Sequence, residues 1–192
     1  LTSTAAAPTA PAGGTVQLQA FTVSSEREGN AKAIMAQRRS MSITTSVASD
    51  IFGDVTDGNV GEFLKGARSA YEMILMAFER GELASVKPFL SQEVYLAFLE
   101  VIEGRKEKGL SIDANFVGLA EIAVHEVEFD EASREADVAI RFLGELTSVV
   151  RDAGGEIVEG SLSEIKRQKD IWTFSRVMGS DDPNWQLVAT GE

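Results

Sequence analysis

The sequence contains no cysteine and a single histidine, His125. Without thiols the chain has no disulfide framework, no thiolate nucleophile and no cysteine-based zinc site. A single histidine excludes a metal centre with several histidine ligands, and the sequence contains no recognisable catalytic triad. We therefore expect no cofactor and no bound metal. No apolar run approaches the roughly 20 residues that a membrane-spanning helix needs.

Positive charge is scarce as well. The 192 residues carry 18 Lys and Arg against 30 Asp and Glu, a net charge of −12. Nucleic-acid binding asks for concentrated Lys and Arg, so this composition excludes it. The same excess of acidic residues disfavours strong electrostatic binding to anionic lipids. Neither a phosphate-binding glycine loop nor a nucleophile elbow occurs, which argues against an enzyme.

Two amphipathic helices are the clearest feature that is present. Apolar residues recur at helical spacing in the first of them: Phe63, Leu64, Ala67, Tyr71, Ile74, Leu75 and Phe78. Gly81 is placed to end this helix, and Ser91 to act as N-cap of the second, which closes at Gly109. The second helix has its own apolar side: Val94, Tyr95, Phe98, Leu99 and Ile102.

Everything after Leu110 is typical of a sheet. Alternation of apolar and polar residues predicts four strands, over residues 110–129, 136–150, 165–177 and 185–190. Gly118 interrupts the first strand and indicates a bulge or bend, and residues 152–155 (DAGG) favour a hairpin turn. Two helices followed by successive antiparallel strands predict an α+β fold, with Trp172 and Phe174 on the sheet face that meets the helices.

The first 62 residues look different from the rest. Residues 1–15 are small, uncharged and rich in Ala, Pro and Gly, which predicts a flexible leader. Residues 16–23 alternate like an extended strand, and an isolated strand seeks a partner edge. We therefore expect a flexible segment at 1–62 and a folded domain at 63–190. Leu1 stands where an initiator methionine would, so we also expect a processed or truncated chain.

Residues 63–190 resemble the Tim44-like domain, named for the import-motor adaptor of the mitochondrial inner-membrane translocase and found in bacterial TimA-type adaptors. The resemblance lies in FLKGARSAYEMILMAFERGELASVKPFLSQEVYLAFLEVIEGRKEKG, in FLGEL at 142–146, in DIWTF at 170–174 and in DPNWQLVAT at 182–190. It implies a cone-like curved sheet, as in nuclear-transport-factor and cystatin-like folds. The helices would cross its concave face and leave a pocket.

A second resemblance covers residues 16–65. This stretch is similar to the N-terminal TonB box and plug entry of TonB-dependent outer-membrane receptors, with residues 16–23 at the position of the box. The rest of the plug and the whole barrel are absent, so a transporter is excluded. The resemblance implies a strand that pairs with a partner through Val16, Leu18, Phe21 and Val23.

The leading functional hypothesis is a non-catalytic adaptor that binds a partner protein at or near a membrane. It would work in the bacterial cell envelope, membrane-associated or periplasmic, with peripheral membrane contact as a further expectation. Aromatic and apolar residues are the candidates for a pocket or partner site: Tyr71, Leu75, Phe78, Tyr95, Phe98, Phe142, Trp172 and Phe174. Most of such a set is expected to form core.

Two alternatives stay open. The first is a periplasmic TonB-linked signalling or coupling segment, which would use residues 16–23. The second is a small-molecule enzyme on a cone-like fold, in which Asp170 would act as a general acid. That role needs a second placed polar group, and the sequence identifies none. His125 alternates with Val124 on a strand and is expected to face solvent.

Overall fold

The structure, a computed structural model, describes residues 57–191, which form two helices and four strands. The elements are α1 (Asp57–Arg80), α2 (Gln92–Glu107), β1 (Ser111–Asp130), β2 (Glu135–Arg151), β3 (Ile157–Val177) and β4 (Gln186–Gly191). The strands pair antiparallel in chain order, as β1-β2-β3-β4. The predicted α+β architecture is confirmed.

The ends of the helices follow the local sequence signals. Gly81 follows α1 with φ of +73°, and Gly109 follows α2 with φ of +66°, a region in which a side chain is strained. The Ser91 hydroxyl accepts a hydrogen bond from the backbone N–H of Val94 at 3.2 Å. These three residues end α1, begin α2 and end α2 as predicted.

Helix α1 begins at Asp57, six residues before the apolar stripe that starts at Phe63. Its first turns contain Gly58 and Gly61, and glycine lowers helix propensity by about 1 kcal/mol relative to alanine. The hydrophobic pattern therefore did not predict that α1 begins at Asp57. The domain boundary expected at residue 63 remains a prediction, and residues 1–56 lie outside the described part of the chain.

The connection between the helices ties α2 to the last strand. Two short 3-10 turns, Leu83–Ser85 and Lys87–Phe89, lead to an isolated bridge between Leu90 and Leu187. The backbone N–H of Ser91 donates to the Leu187 carbonyl at 2.9 Å. The N-terminus of α2 is thereby fixed against β4.

The hydrophobic core lies between the helices and one face of the sheet, here called the inner face. Tyr71, Ile74 and Phe78 of α1 are buried in it together with Trp172 and Phe174 of β3. Because side chains alternate along a strand, Ile171 and Thr173 point to the opposite face. The placement of Trp172 and Phe174 against the helices is confirmed.

Strand β1 is bulged at Gly118, as the glycine predicts. Its pairing with β2 shifts register between Phe116 and Gly118, between Leu119 and Glu121, and between Val124 and Glu126. Each shift inserts an extra residue and twists the strand, which lets a twenty-residue strand curve along the core.

Strand β3 is longer than the sequence indicates, because it begins at Ile157 and not at Ile165. Leu146 pairs with Lys166, and Ser148 pairs with Ser161, so one residue of β2 stands opposite four residues of β3. The prediction of a strand from 165 was wrong at its start, because Gly160 and this wide bulge break the alternation.

Candidate functional site

A hydrogen-bonded pair of polar side chains lies in the middle of the core. The Tyr71 hydroxyl, on α1, donates to Oδ2 of Asp170, on β3, at 2.5 Å. The two residues are 0 % and 1 % exposed. Gln168 Nε2 lies 3.1 Å from Oδ1 and 3.0 Å from Oδ2 of the same carboxylate. Burial of a carboxylate is costly unless such donors surround it, and here they do.

Aromatic rings enclose the Tyr71 side chain. Phe142 stacks on it with a centroid distance of 4.3 Å, and Trp172 and Phe116 lie at 4.7 Å and 6.1 Å. The indole Nε1 of Trp172 is buried with no hydrogen-bond partner among residues 57–191. Trp172 therefore contributes through the packing of its ring and gains nothing from its N–H.

Gly144 on β2 makes room for the hydroxyl of Tyr71. A Cβ atom at this position would lie 2.5 Å from the Tyr71 oxygen, closer than van der Waals contact allows. Any larger residue would push the hydroxyl away from Asp170. Close packing of Gly144 against Tyr71 of α1 therefore explains the glycine within FLGEL.

The electrostatics keep Tyr71 protonated. Burial raises its pKa far above the ordinary value of 10.0, and the charge of Asp170 and their hydrogen bond raise the pKa further. Tyr71 is therefore a permanent donor and Asp170 its acceptor. Neither group reaches solvent, and the hydrogen bond between them joins α1 to the sheet.

A second polar contact joins the two helices. The Arg105 guanidinium of α2 lies 4.4 Å from the centroid of the Phe78 ring of α1, a cation–π distance. Burial raises the pKa of the neighbouring Glu79, and the positive charges of Arg105 and Lys166 partly offset this. Burial lowers the pKa of Arg105, and the negative charge of Glu79 partly offsets this.

The eight predicted site residues divide into a buried group and one accessible residue. Seven of them are at most 3 % exposed: Tyr71, Leu75, Phe78, Phe98, Phe142, Trp172 and Phe174. Tyr95 is half-buried, and Lys87 Nζ lies 5.1 Å from the centroid of its ring. The rings of Phe78 and Phe98 meet at 4.7 Å, away from the group around Tyr71. The assignment of these residues to a pocket or partner site stays a prediction.

The remaining sequence-based expectations concern His125, metal binding, membrane-spanning helices and the strand-pairing residues near the N-terminus. His125 is exposed, as predicted. Within the described residues no group of three or more His, Cys, Asp or Glu side chains could hold a metal ion. No helix in the same part of the chain is long and apolar enough to cross a membrane. The strand-pairing residues Val16, Leu18, Phe21 and Val23 lie outside the described part.

Sequence reasoning missed the contact between Tyr71 and Asp170. A usable signal was present, since Asp170 shares its alternation with Trp172 and Phe174 and so had to point toward the core. A carboxylate on an inner face needs a buried donor. The chain contains only two tyrosines, and Tyr71 is the one on the apolar stripe of α1.

Comparison with known proteins identifies the family. The model of the Tim44-like domain matches residues 47–192, well over half of the chain. The chain belongs to the Tim44-like family. Its resemblance to this family is thereby confirmed, with a match that begins before residue 63. The second resemblance, to the TonB box and plug entry, is not supported by the comparisons.

Among solved structures, a matching chain is the intermembrane-space region of the chloroplast protein ARC6. The two share 13 % identity with a TM-score of 0.47, over 71 % of this chain and 95 % of that one. No curated protein matches the chain. Membership of the Tim44-like family supports a membrane-associated adaptor or binding domain in general terms, without naming a partner.

Proposed function

We propose that this Tim44-like chain is a non-catalytic adaptor that tethers a partner protein at or near a membrane. Residues 63–190 would form the binding domain, and residues 1–62 a flexible segment in front of it. The match of the Tim44-like domain to residues 47–192 carries the proposal. We propose the bacterial cell envelope as its location, because of the resemblance to TimA-type adaptors.

The charge of the chain favours a protein as the main partner over a lipid surface. With a net charge of −12, we expect the protein to bind anionic headgroups weakly, because such binding depends on clustered Lys and Arg. Peripheral membrane contact would then be secondary to the protein contact. A partner with a basic or neutral surface fits this charge better than an acidic one.

We propose Tyr95 as the point at which the partner makes first contact. The other seven members of the candidate set are buried, so a partner reaches them only if the helices move. Tyr95 is half-buried on α2 beside Lys87 and presents both an apolar ring and a hydroxyl. Tyrosine is enriched among residues that dominate binding energy at protein interfaces.

A photo-crosslinking amino acid at position 95 tests the proposal in cells that make the chain. We expect one defined crosslinked protein, and we expect Tyr95→Ala to weaken binding of that purified protein about 10-fold. Leu96→Ala is the matched control, because Leu96 is the next residue of the helix and is exposed to solvent. Equal losses for the two variants would contradict the role of Tyr95. The absence of any protein crosslink from position 95 would contradict the proposal that the partner contacts Tyr95.

A further inference from the structure

One long stretch of β3 has a strand on only one side. Strand β2 pairs with β3 on both sides of the bulge at residues 162–165, whereas β4 pairs only with residues from Ile171 to Ser175. In the described part of the chain, residues 157–169 therefore form an outer edge of the sheet. Unpaired backbone groups on such an edge are a template for another strand.

This edge also carries apolar side chains that face solvent. Eight large hydrophobic residues of the described chain are exposed, and four of them lie here, with exposed fractions of 45 to 57 %: Ile157, Val158, Leu162 and Ile165. Apolar residues that collect on a sheet edge favour association with another molecule.

The charges along the edge are ordered by sign. Glu156, Glu159 and Glu164 come first, and a basic run, Lys166-Arg167 with Lys169, follows. Lys166 forms an ion pair with Glu159 at 3.8 Å, and Arg167 forms one with Glu145 at 2.9 Å. Glu156 and Lys169, at the two ends, are exposed and form no ion pair with another described residue.

We propose that two copies of the chain associate through this edge, antiparallel and related by a two-fold axis near residue 163. In that arrangement the acidic end of one edge lies against the basic end of the other. Glu156 of each copy then faces Lys169 of its partner. Leu162 and Ile165 of both copies meet near the axis, and Ile157 and Val158 lie toward the two ends of the interface. A segment with acid at one end and base at the other is complementary to itself only when antiparallel, as a two-fold interface requires.

The wide bulge at residues 162–165 sets the strength of the dimer. Backbone pairing between copies is confined to the regular stretches 157–161 and 166–169 on either side of the bulge. Such a contact buries less than the roughly 800 Å² per partner of a standard interface. We expect a dissociation constant on the order of 10 to 100 µM.

Sedimentation equilibrium of the full chain between about 5 and 500 µM tests the proposal. We expect a monomer–dimer equilibrium. Glu156→Lys and Lys169→Glu should each raise the dissociation constant at least about 10-fold, because each places like charges at both ends of the interface. An equimolar mixture of the two variants should restore the dimer, since opposite charges face each other again. Glu103→Lys and Lys106→Glu on α2 are matched charge controls and should leave the dimer unchanged.

Three outcomes would overturn the proposal. The first is a chain that stays monomeric over the whole range, and the second is a dimer that neither reversal weakens. The third is a mixture of the two reversed variants that does not associate. Hydrogen exchange adds a readout of the edge itself. Protection of amides in 157–169 should increase with protein concentration, and equal protection at all concentrations would likewise contradict the proposal.

Discussion

The hydrogen bond between Tyr71 and Asp170 joins residues that lie 99 positions apart in the sequence. Removal of the hydroxyl leaves a buried carboxylate with one donor fewer, and an unsatisfied buried group costs more than the bond itself contributes. We expect Tyr71→Phe to lower the free energy of unfolding by about 1–3 kcal/mol in urea titrations. Tyr95→Phe is the control and should change little, because the Tyr95 side chain is only half-buried. Equal stability of Tyr71→Phe and the native chain would contradict the structural role of the pair.

The buried Glu79 predicts that the free energy of unfolding falls as pH rises. An ordinary ion-paired carboxylate predicts the opposite direction. Burial raises the pKa of Glu79 above 4.5, so the folded protein holds this proton more tightly than the unfolded chain does. Its contribution to stability is full below about pH 4.5 and is lost as pH rises through the raised folded pKa. Glu79→Gln removes this titration, so the stability of the native chain relative to the variant should fall between pH 4 and 8. A relative stability that rises over this interval would mean that the attraction to Arg105 and Lys166 dominates.

At the scale of elements, the junction of β2 and β3 depends on one glycine. Gly160 has φ of +83°, and a Cβ atom there would lie 2.1 Å from the Ser148 carbonyl oxygen. Gly155, in the hairpin turn, has the same φ of +83° but nothing within 4 Å of its Cβ position. We expect Gly155→Ala to cost about 1–2 kcal/mol for backbone strain alone. Gly160→Ala should cost about 3 kcal/mol or more, because the clash adds to the strain. Equal costs in thermal or urea unfolding would contradict the described bulge.

Element type was predictable wherever one face of an element is apolar. Helices α1 and α2, the inward position of Trp172 and the bend of β1 follow from periodicity and from single glycines. The first eight residues of β3 (IVEGSLSE) have no such pattern, because none of them is buried; residues 157–161 are held by pairing with β2, and 162–164 lie in the bulge. The inward position of Asp170 could have been predicted from the same alternation, but its pairing with Tyr71 could not, since that contact depends on how α1 crosses the sheet.

For the whole molecule, the proposed division into a flexible segment and a folded domain predicts a simple cleavage pattern. Limited proteolysis should remove residues up to about 56 and leave a fragment that begins close to Asp57, where α1 starts. The beginning of α1 places this cut slightly before residue 63. The thermal midpoint of the purified fragment should match that of the full chain. A fragment that unfolds at a much lower temperature would show that the first 56 residues pack on the domain.

The central claim is that this Tim44-like domain takes a protein as its main partner and binds an anionic membrane surface only weakly. Flotation of the full chain with cardiolipin-containing vesicles at about 0.15 M salt tests it most directly, since surface attraction persists at this ionic strength when basic charge is present. With its net charge of −12, the chain should remain in the bottom fraction, as it does with neutral vesicles. Recovery of most of the protein with the floating cardiolipin vesicles would contradict the claim.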